Sequence, residues 1–422
     1  MSELYSLFYE TKGICTDTRK ILPDSLFIAL KGNNFNGNLF ANKAIDKGAK
    51  FAIVDQKEFA NGRNILYVPS TLKFLQDLAK YHRAKFNIPV IGITGSNGKT
   101  STKELIYSVL AKKFNTIATE GNLNNHLGVP FTLLRIKKEH EIAIIEMGAN
   151  QPGDIQELCE IASPTHGIIT NIGKAHLEGF GNLEGVVQTK SALYRSVRKQ
   201  NGVIFFNQED LLLKSLLDDS TENISFGKAN ANITGQIIEL TPYIHMCWQS
   251  SSYRSENINT SMVGTYNFYN FLAAISIGNY FGVKEIDISD AVATYKPENK
   301  RSQVLETQKN TLIIDCYNAN PTSMLVALES FRDFRNNKKL AIIGDMLELG
   351  EESDLEHQKI IDYCKEHKIE FMTVGPIFNE HNKDRAYKNV AEISSELNMV
   401  NATAILLKGS RGIELEKLIP ML

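Results

Sequence analysis

Glycine, lysine and threonine stand together in Thr94-Gly95-Ser96-Asn97-Gly98-Lys99-Thr100-Ser101, directly after the apolar run Val90-Ile91-Gly92-Ile93. That run reads as a buried strand. Leu105, Val109 and Leu110, set against Lys103, Glu104, Lys112 and Lys113, read as the helix that follows. Strand, glycine-rich turn and helix N-terminus make a phosphate cradle, because loop N–H groups and the positive helix end point at the anion. Lys99 can reach outer phosphates, and the Thr100 hydroxyl can ligate Mg²⁺. The strict phosphate-loop spacing wants glycine at position 93; isoleucine stands there, and the glycines fall at 92, 95 and 98. Gly-Lys-Thr-Ser at a helix start still points to a nucleoside triphosphate rather than a plain chain reversal with a solvated lysine.

Further chemistry gathers where predicted strands end, which is where open α/β sheets bind ligands. Glu146-Met147-Gly148-Ala149-Asn150 follows the apolar Ile142–Ile145 run, and a carboxylate there suits Mg²⁺, which takes oxygen donors shared with phosphates. Thr170-Asn171-Ile172-Gly173-Lys174-Ala175-His176 follows the next strand and offers an imidazole one turn on. Lys190 lies in a predicted helix among Val186, Val187 and Leu193, where on its own it reads as an ordinary snorkelling lysine. Glu120 to Pro130 is dense in amides (Asn122, Asn124, Asn125), fit either for capping a loop or for a multi-amide substrate.

The elements that must position these groups fall into three segments. At 422 residues the chain exceeds a single ordinary core. Apolar content of 43%, charge of 22% and a net charge of −2 fit a soluble globular protein, with no reason to expect nucleic acid or an anionic membrane as partner. Met1-Ser2-Glu3-Leu4-Tyr5 lacks the basic start and apolar run of a signal peptide, and no segment has the ~18 apolar residues of a membrane span. Five scattered cysteines (15, 159, 247, 316, 364) without metal spacing read as buried reduced thiols, so a cytoplasmic protein is expected.

Residues 1–87 read as a small α/β unit, with strands at 26–30 and 51–54, helices at 40–47 and 71–86, and an irregular polar loop at 31–38. Residues 88–298 alternate strands (90–93, 141–146, 167–170, 202–206) with helices, then a β-rich patch at 231–250 and a helix at 268–280, favouring a mostly parallel sheet. Residues 299–422 restart the alternation, with strands at 312–315, 339–343, 371–374 and 404–407 and helices at 321–335 and 354–366. The fold class is therefore α/β in three domains.

The phosphate loop, Glu146-Met147-Gly148-Ala149-Asn150, Asn171-Ile172-Gly173 with His176, and Lys190 together resemble the Mur ligase family, whose phosphate loop is shared with folylpolyglutamate synthases. Tyr317-Asn318-Ala319-Asn320-Pro321, Gly344-Asp345-Met346-Leu347-Glu348-Leu349-Gly350, Asn122-Leu123-Asn124-Asn125 and Lys408-Gly409-Ser410-Arg411-Gly412 resemble the members that add a dipeptide. The resemblance covers essentially the whole chain. It implies an N-terminal UDP-substrate domain, a central ATP-binding domain and a Rossmann-like C-terminal domain on the dipeptide side. It also implies a reaction: ATP phosphorylates the terminal carboxylate of a UDP-muramoyl-tripeptide, and the amine of D-alanyl-D-alanine attacks the acyl phosphate. The enzyme is expected to be a cytoplasmic monomer with no stable membrane association.

By the same resemblance Thr94 to Ser101 hold the ATP phosphates, with Lys99, Lys190 and His176 catalytic. Thr100 and Glu146 hold one Mg²⁺, and His176 assists at a second; Lys190 matches the family's carbamylated lysine. Asn171, Asn267 and Asn270 contact adenine or shape its pocket, while Arg301 and Asp315 approach the phosphates and ribose. Thr18, Arg19, Lys31 and Gly32 match the UDP signature, Asn122, Asn124 and Asn125 face substrate, and Tyr317, Asn318 and Asn320 lie where the dipeptide is expected.

Three positions depart from the family pattern. Lys190-Ser191-Ala192 replaces Lys-Gly-Glu, Tyr266-Asn267 replaces His-Asn, and Asn36-Gly37-Asn38 replaces Asp-Gly-His. Two other readings stay open. One is a Mur-type ligase adding a single amino acid, although diamino-acid-adding relatives carry a His in the Tyr-Asn-Ala-Asn-Pro block and a later Asp-Asn-Pro-Arg. The other is a nucleotide-binding regulator, which would not need that block. The third peptide residue, lysine or diaminopimelate, has no motif in the sequence.

Overall fold

Apolar strands separated by capped amphipathic helices build three layered sheets. The computed structural model describes residues 2–62, 64–240, 242–297, 301–334, 336, 338–397 and 400–422. The expected junction at 298/299 and the expected helix end at Arg335 lie outside the described residues.

The first sheet is parallel, in the order Ile14–Cys15, Leu26–Ile28, Phe51–Val54, Ile65–Tyr67. The helix Thr71–Arg83 starts where Ser70 accepts the Lys73 N–H at 3.2 Å, and it buries Phe74, Leu75, Leu78 and Ala79. Its apolar face joins a core that continues into the central unit through Val129, Ala143 and Leu193. Buried Arg83 ties the two units together, donating to the carbonyls of Ala162 (3.2 Å) and Ile88 (3.1 Å).

The central sheet has nine strands, in the order Ile258–Asn259, His245–Gln249, Ile233–Glu239, Glu222–Gly227, Val203–Asn207, His166–Ile169, Val90–Thr94, Ile142–Glu146, Thr116–Ala118. The strands from Thr116–Ala118 across to Ile233–Glu239 pair in parallel, and the β-rich patch adds two antiparallel strands at the far edge. Val90–Thr94 is buried on both faces, as a parallel sheet requires. From that strand the chain passes first to one side and later sets His166–Ile169 on the other, which opens a crevice at the carboxyl ends.

The third sheet runs Gln303–Glu306, Thr311–Asp315, Ala404–Lys408, Lys339–Gly344, Phe371–Val374, Ala386–Tyr387, antiparallel only at the first pair. Helices such as Pro321–Arg332 and Ser353–Glu366 cover it, leaving an apolar core on each face. Among the described residues, no helix is long and apolar enough to cross a membrane.

Local corrections have physical causes. Residues 31–38, expected to be irregular, form the hairpin Lys31–Gly32/Phe35–Asn36 and enter a 3₁₀ turn. Asn36 caps that turn, and buried Asn38 exchanges hydrogen bonds with Asp55 at 2.8 and 2.9 Å, so the polar residues serve the backbone rather than solvent. The helix expected over 71–86 ends at Arg83, whose side chain is taken by the carbonyls above. Cys159, Cys247, Cys316 and Cys364 are buried as expected, whereas Cys15 is only half-buried.

His166 opens its strand among the rings of Phe205, Tyr280 and Phe281, and burial pulls its imidazole pKa down to about 4. Its folded pKa therefore lies below the unfolded value near 6.5, so the folded state resists protonation. The associated stability is full above about pH 6.5 and falls as pH drops toward 4. In urea melts at pH 7.5 and pH 5, His166→Phe should lose about 2 kcal/mol less than the parent on acidification. An identical loss in both would contradict a neutral buried imidazole.

Candidate active site

The site begins at the carboxyl end of Val90–Thr94. Gly95 has φ +149°, and a Cβ there would lie 1.9 Å from the Thr170 hydroxyl; Gly98 has φ +79° and would meet Asn270 at 2.9 Å. Only glycine allows both the turn and the close approach. Asn171 then clamps Asn97, accepting its N–H at 3.0 Å and donating to its carbonyl at 3.0 Å. Ser96 adds two 2.9 Å bonds to the backbone of Gly173. The loop is thus fixed before any ligand arrives, at the start of helix Lys99–Leu110.

Lys99 folds back on the loop, its Nζ donating to the carbonyls of Gly95 (2.7 Å) and Ser96 (3.3 Å). Burial, with Arg301 adding like charge, pulls its pKa down to about 8, while Glu146 opposes the shift. Lys190, at the end of helix Leu183–Lys190, is 1% exposed, so it does not snorkel. Burial and then Lys99 hold its amine well below the ordinary lysine range. The departure Ser191-Ala192 leaves Ser191 engaged with Arg195 Nη1 at 2.6 Å, with no carboxylate supplied from that turn.

Glu146 is 1% exposed, which excludes a solvated carboxylate. Its Oε1 accepts from Asn124 Nδ2 (2.8 Å) and the Thr100 hydroxyl (3.2 Å), while buried Oε2 has no hydrogen-bond partner. An orphaned carboxylate oxygen beside a hydroxyl fits Mg²⁺, which completes its octahedron with phosphate oxygens and water. Among the described residues no three His, Cys, Asp or Glu side chains form a closed metal cage. The His176 ring and Lys190 Nζ both approach Phe180, with centroid distances of 6.5 and 5.9 Å.

The third sheet supplies the opposite wall. Asp315 pairs with buried Lys408 at 2.8 Å, and Lys408 also donates to the Asn318 carbonyl at 3.1 Å. Arg301 lies 3.9 Å over the Tyr317 ring, with its buried Nε unpartnered, and Arg411 sits 5.7 Å from the same ring. Asn320 caps helix Pro321–Arg332 and reaches across to donate to Asn97 Oδ1 at 2.8 Å. The C-terminal unit therefore touches the phosphate loop directly.

Several other expected residues make polar contacts within their own units. Asn267 and Asn270 turn inward: Asn267 donates to Val263 (2.7 Å) and accepts from Asn270 (2.8 Å), and Asn270 accepts from Thr102 (3.0 Å). Tyr266 bonds Ser302 at 2.6 Å and does not stand as a free stacking ring. Asn125 accepts from Leu127 and Gly128 as a loop cap, while Asn122 is exposed. Arg19 grips Asp17, Lys31 pairs with Asp55 at 2.9 Å, and the Thr18 carbonyl accepts from Lys47. Among the described residues no hydrogen bond or ion pair joins Thr18, Arg19, Lys31 or Gly32 to the phosphate loop. Sequence reasoning gave no role to Thr119, whose hydroxyl accepts the Glu146 N–H, or to Glu348, which pairs with His176 at 2.5 Å.

Asn171→Ala removes both clamps on Asn97, each worth about 1 kcal/mol. Calorimetry should show ATP binding weakened roughly tenfold, with the melting temperature lowered by a few degrees at most. Unchanged affinity would mean the loop holds its shape without Asn171.

Models of the Mur ligase family catalytic domain, the Mur ligase middle domain and the Mur ligase glutamate ligase domain match residues 10–83, 93–278 and 300–411. The UDP-N-acetylmuramoyl-tripeptide–D-alanyl-D-alanine ligase of Bacillus subtilis is 32% identical over 96% of this chain and 92% of its own. A crystal structure of MurF from Acinetobacter baumannii superposes with a TM-score of 0.90 at 30% identity, over 99% of this chain and 97% of that one. MurF from Thermotoga maritima in complex with ADP gives 0.86 at 27% identity, over 97% of each chain. With three family domains in order and identity sustained along the chain, the protein belongs to the Mur ligase family.

Proposed function

We propose that this chain is an ATP-dependent ligase joining D-alanyl-D-alanine to UDP-N-acetylmuramoyl-tripeptide, giving the UDP-muramoyl-pentapeptide of peptidoglycan synthesis. The observation that carries the reading is the meeting of Lys99, Lys190 and Arg301 at a phosphate loop that Asn320 bridges from the C-terminal unit. Whole-length likeness to ligases of that name supports it. The chain divides into 1–87 for the UDP substrate, 88–298 for ATP and 299–422 for the dipeptide. It works in the cytoplasm as a monomer.

A carboxylate is a poor acyl donor and repels the ATP phosphates, so the first task is to neutralise anions. Loop N–H groups and Lys99 hold the phosphates, and Arg301 faces them with a buried, unpartnered Nε. The tripeptide carboxylate oxygen then bonds to the γ-phosphorus as the bond to the bridging oxygen breaks and ADP departs. Mg²⁺, when bound, would supply positive charge that stabilises the transferred group. Thr100 and Glu146 would hold it, with His176 and Lys190 at a second ion. A neutral Lys190 amine can add CO₂, losing a proton and becoming an oxygen donor; its burial beside Lys99 favours that neutral form.

In the second half the dipeptide amine attacks the acyl carbon. The C–O bond breaks, phosphate leaves with the original carboxylate oxygen, and the amine loses a proton. Tyr317, Asn318 and Asn320 hold the dipeptide side, and Asp315 approaches the ribose. Thr18, Arg19, Lys31 and Gly32 hold the UDP end, and Asn122, Asn124 and Asn125 the peptide between.

Phosphate release from MgATP with UDP-muramoyl-tripeptide should require D-alanyl-D-alanine and fail with single amino acids. Release with a single amino acid would keep the mechanism and overturn the acceptor. Lys99→Met should lower kcat about 100-fold or more, since it removes the cation facing the transferred phosphate.

A further inference from the structure

His176 and Glu348 meet across two units of the chain, and both adopt backbone that side chains rarely favour, with φ +53° and +67°. Non-glycine residues in that region persist where surrounding structure over-determines them, often at functional contacts. Glu348 Oε2 lies 2.5 Å from His176 Nδ1, an ion-pair distance at which the ring N–H is not aligned for a hydrogen bond, and the Glu178 N–H donates to the Glu348 carbonyl at 3.3 Å.

The loop that presents Glu348 is anchored residue by residue. Asp345 is fully buried and accepts the N–H groups of Ile377 and Phe378, both at 2.9 Å. The Met346 N–H donates to His357 Nε2 (3.0 Å), whose other nitrogen meets the Ser353 carbonyl (2.7 Å). The Leu347 N–H donates to the Ser410 hydroxyl at 2.9 Å. Three consecutive residues are thus fixed so that the fourth is delivered to His176. Docking alone does not need this contact, because Lys174 already pairs with Glu352 (2.7 Å) and Glu356 (3.0 Å) across the same interface.

We propose that Glu348 is a positioning residue: its carboxylate holds His176 from the Nδ1 side, leaving Nε2 as the free donor toward a metal ion on the ATP phosphates. A carboxylate on the far nitrogen is how proteins fix a ligating imidazole's tautomer and orientation. Here the carboxylate comes from the C-terminal unit and the imidazole from the central one. Docking of the dipeptide side then completes the metal site on the ATP side, which would delay phosphoryl transfer until the acceptor's unit is in place. The inference rests on the reading of His176 as a metal-site residue.

The test is Mn²⁺ binding to the full chain with a non-hydrolysable imido-ATP, followed by the free-Mn²⁺ electron paramagnetic resonance signal. Glu348→Ala should weaken Mn²⁺ about tenfold or more. Glu348→Gln should stay within about threefold of the parent, because the amide oxygen can still face Nδ1. Lys174→Ala, which cuts only the docking pairs, should leave Mn²⁺ affinity closer to the parent than Glu348→Ala does. If the alanine variant does not fold, Glu348→Asp keeps the charge but shortens the reach and should weaken Mn²⁺ severalfold. Parent-like affinity in the folded alanine or aspartate variant would overturn the proposal, as would equal weakening in Lys174→Ala. His176→Ala separates the two levels. If it weakens Mn²⁺ while Glu348→Ala does not, only the positioning role fails; if it too is parent-like, the reading of His176 fails first.

Discussion

Two lysines and an arginine face one crevice with a single buried carboxylate, Glu146, to answer them. Cations in a desolvated place are costly, and the depressed pKa values of Lys99 and Lys190 express their burial first and the repulsion of neighbouring cations second. Phosphate anions relieve it. The site is therefore built for a ligand of high negative charge, and its cost without one is borne by the rigid frame that holds it. Gly95 and Gly98 let the loop turn beneath that charge, Asn171 fixes the loop's amides, and strand Val90–Thr94 anchors the whole from a fully buried position.

The crevice also explains the division into units. Its floor comes from the central sheet, while Arg301, Tyr317 and Asn320 reach it from beyond. The contacts between these two walls include the polar pairs Asn97 to Asn320, Lys174 to Glu352 and Glu356, and His176 to Glu348, beside an apolar patch where Val263 joins the C-terminal core. Polar pairs of this kind suit units that separate to admit substrates and close to react. The first unit is tied through Arg83 and a larger apolar core shared with the central sheet.

What the sequence made legible was local chemistry. A strand, a glycine turn and Lys-Thr at a helix start are contiguous, so the phosphate loop could be read directly, as could Glu146 at the end of an apolar run. The central helix and most strands followed from unbroken apolar stretches. Thr116–Ala118 and Glu222–Gly227 escaped because they are short or mix polar with apolar residues. Side-chain partners far apart in the chain left no local signal. Asn267 and Asn270 carry the right type for a ligand contact yet spend their amides on Val263, Thr102 and each other. Asn36 and Asn38 looked like loop residues and instead hold a hairpin against Asp55 and Gln56. Glu348 lay in a recognised motif, but its partner His176 becomes visible only once two sheets are docked.

The central claim is that a carboxylate is activated by direct transfer of phosphate in this crevice. The most direct measurement starts from UDP-muramoyl-tripeptide labelled with ¹⁸O in its terminal carboxylate. After turnover with MgATP and D-alanyl-D-alanine, mass spectrometry of the released phosphate reads the outcome. Acyl-phosphate chemistry predicts one labelled oxygen in each phosphate, carried there when the carboxylate attacked phosphorus. Unlabelled phosphate alongside pentapeptide product would contradict the account.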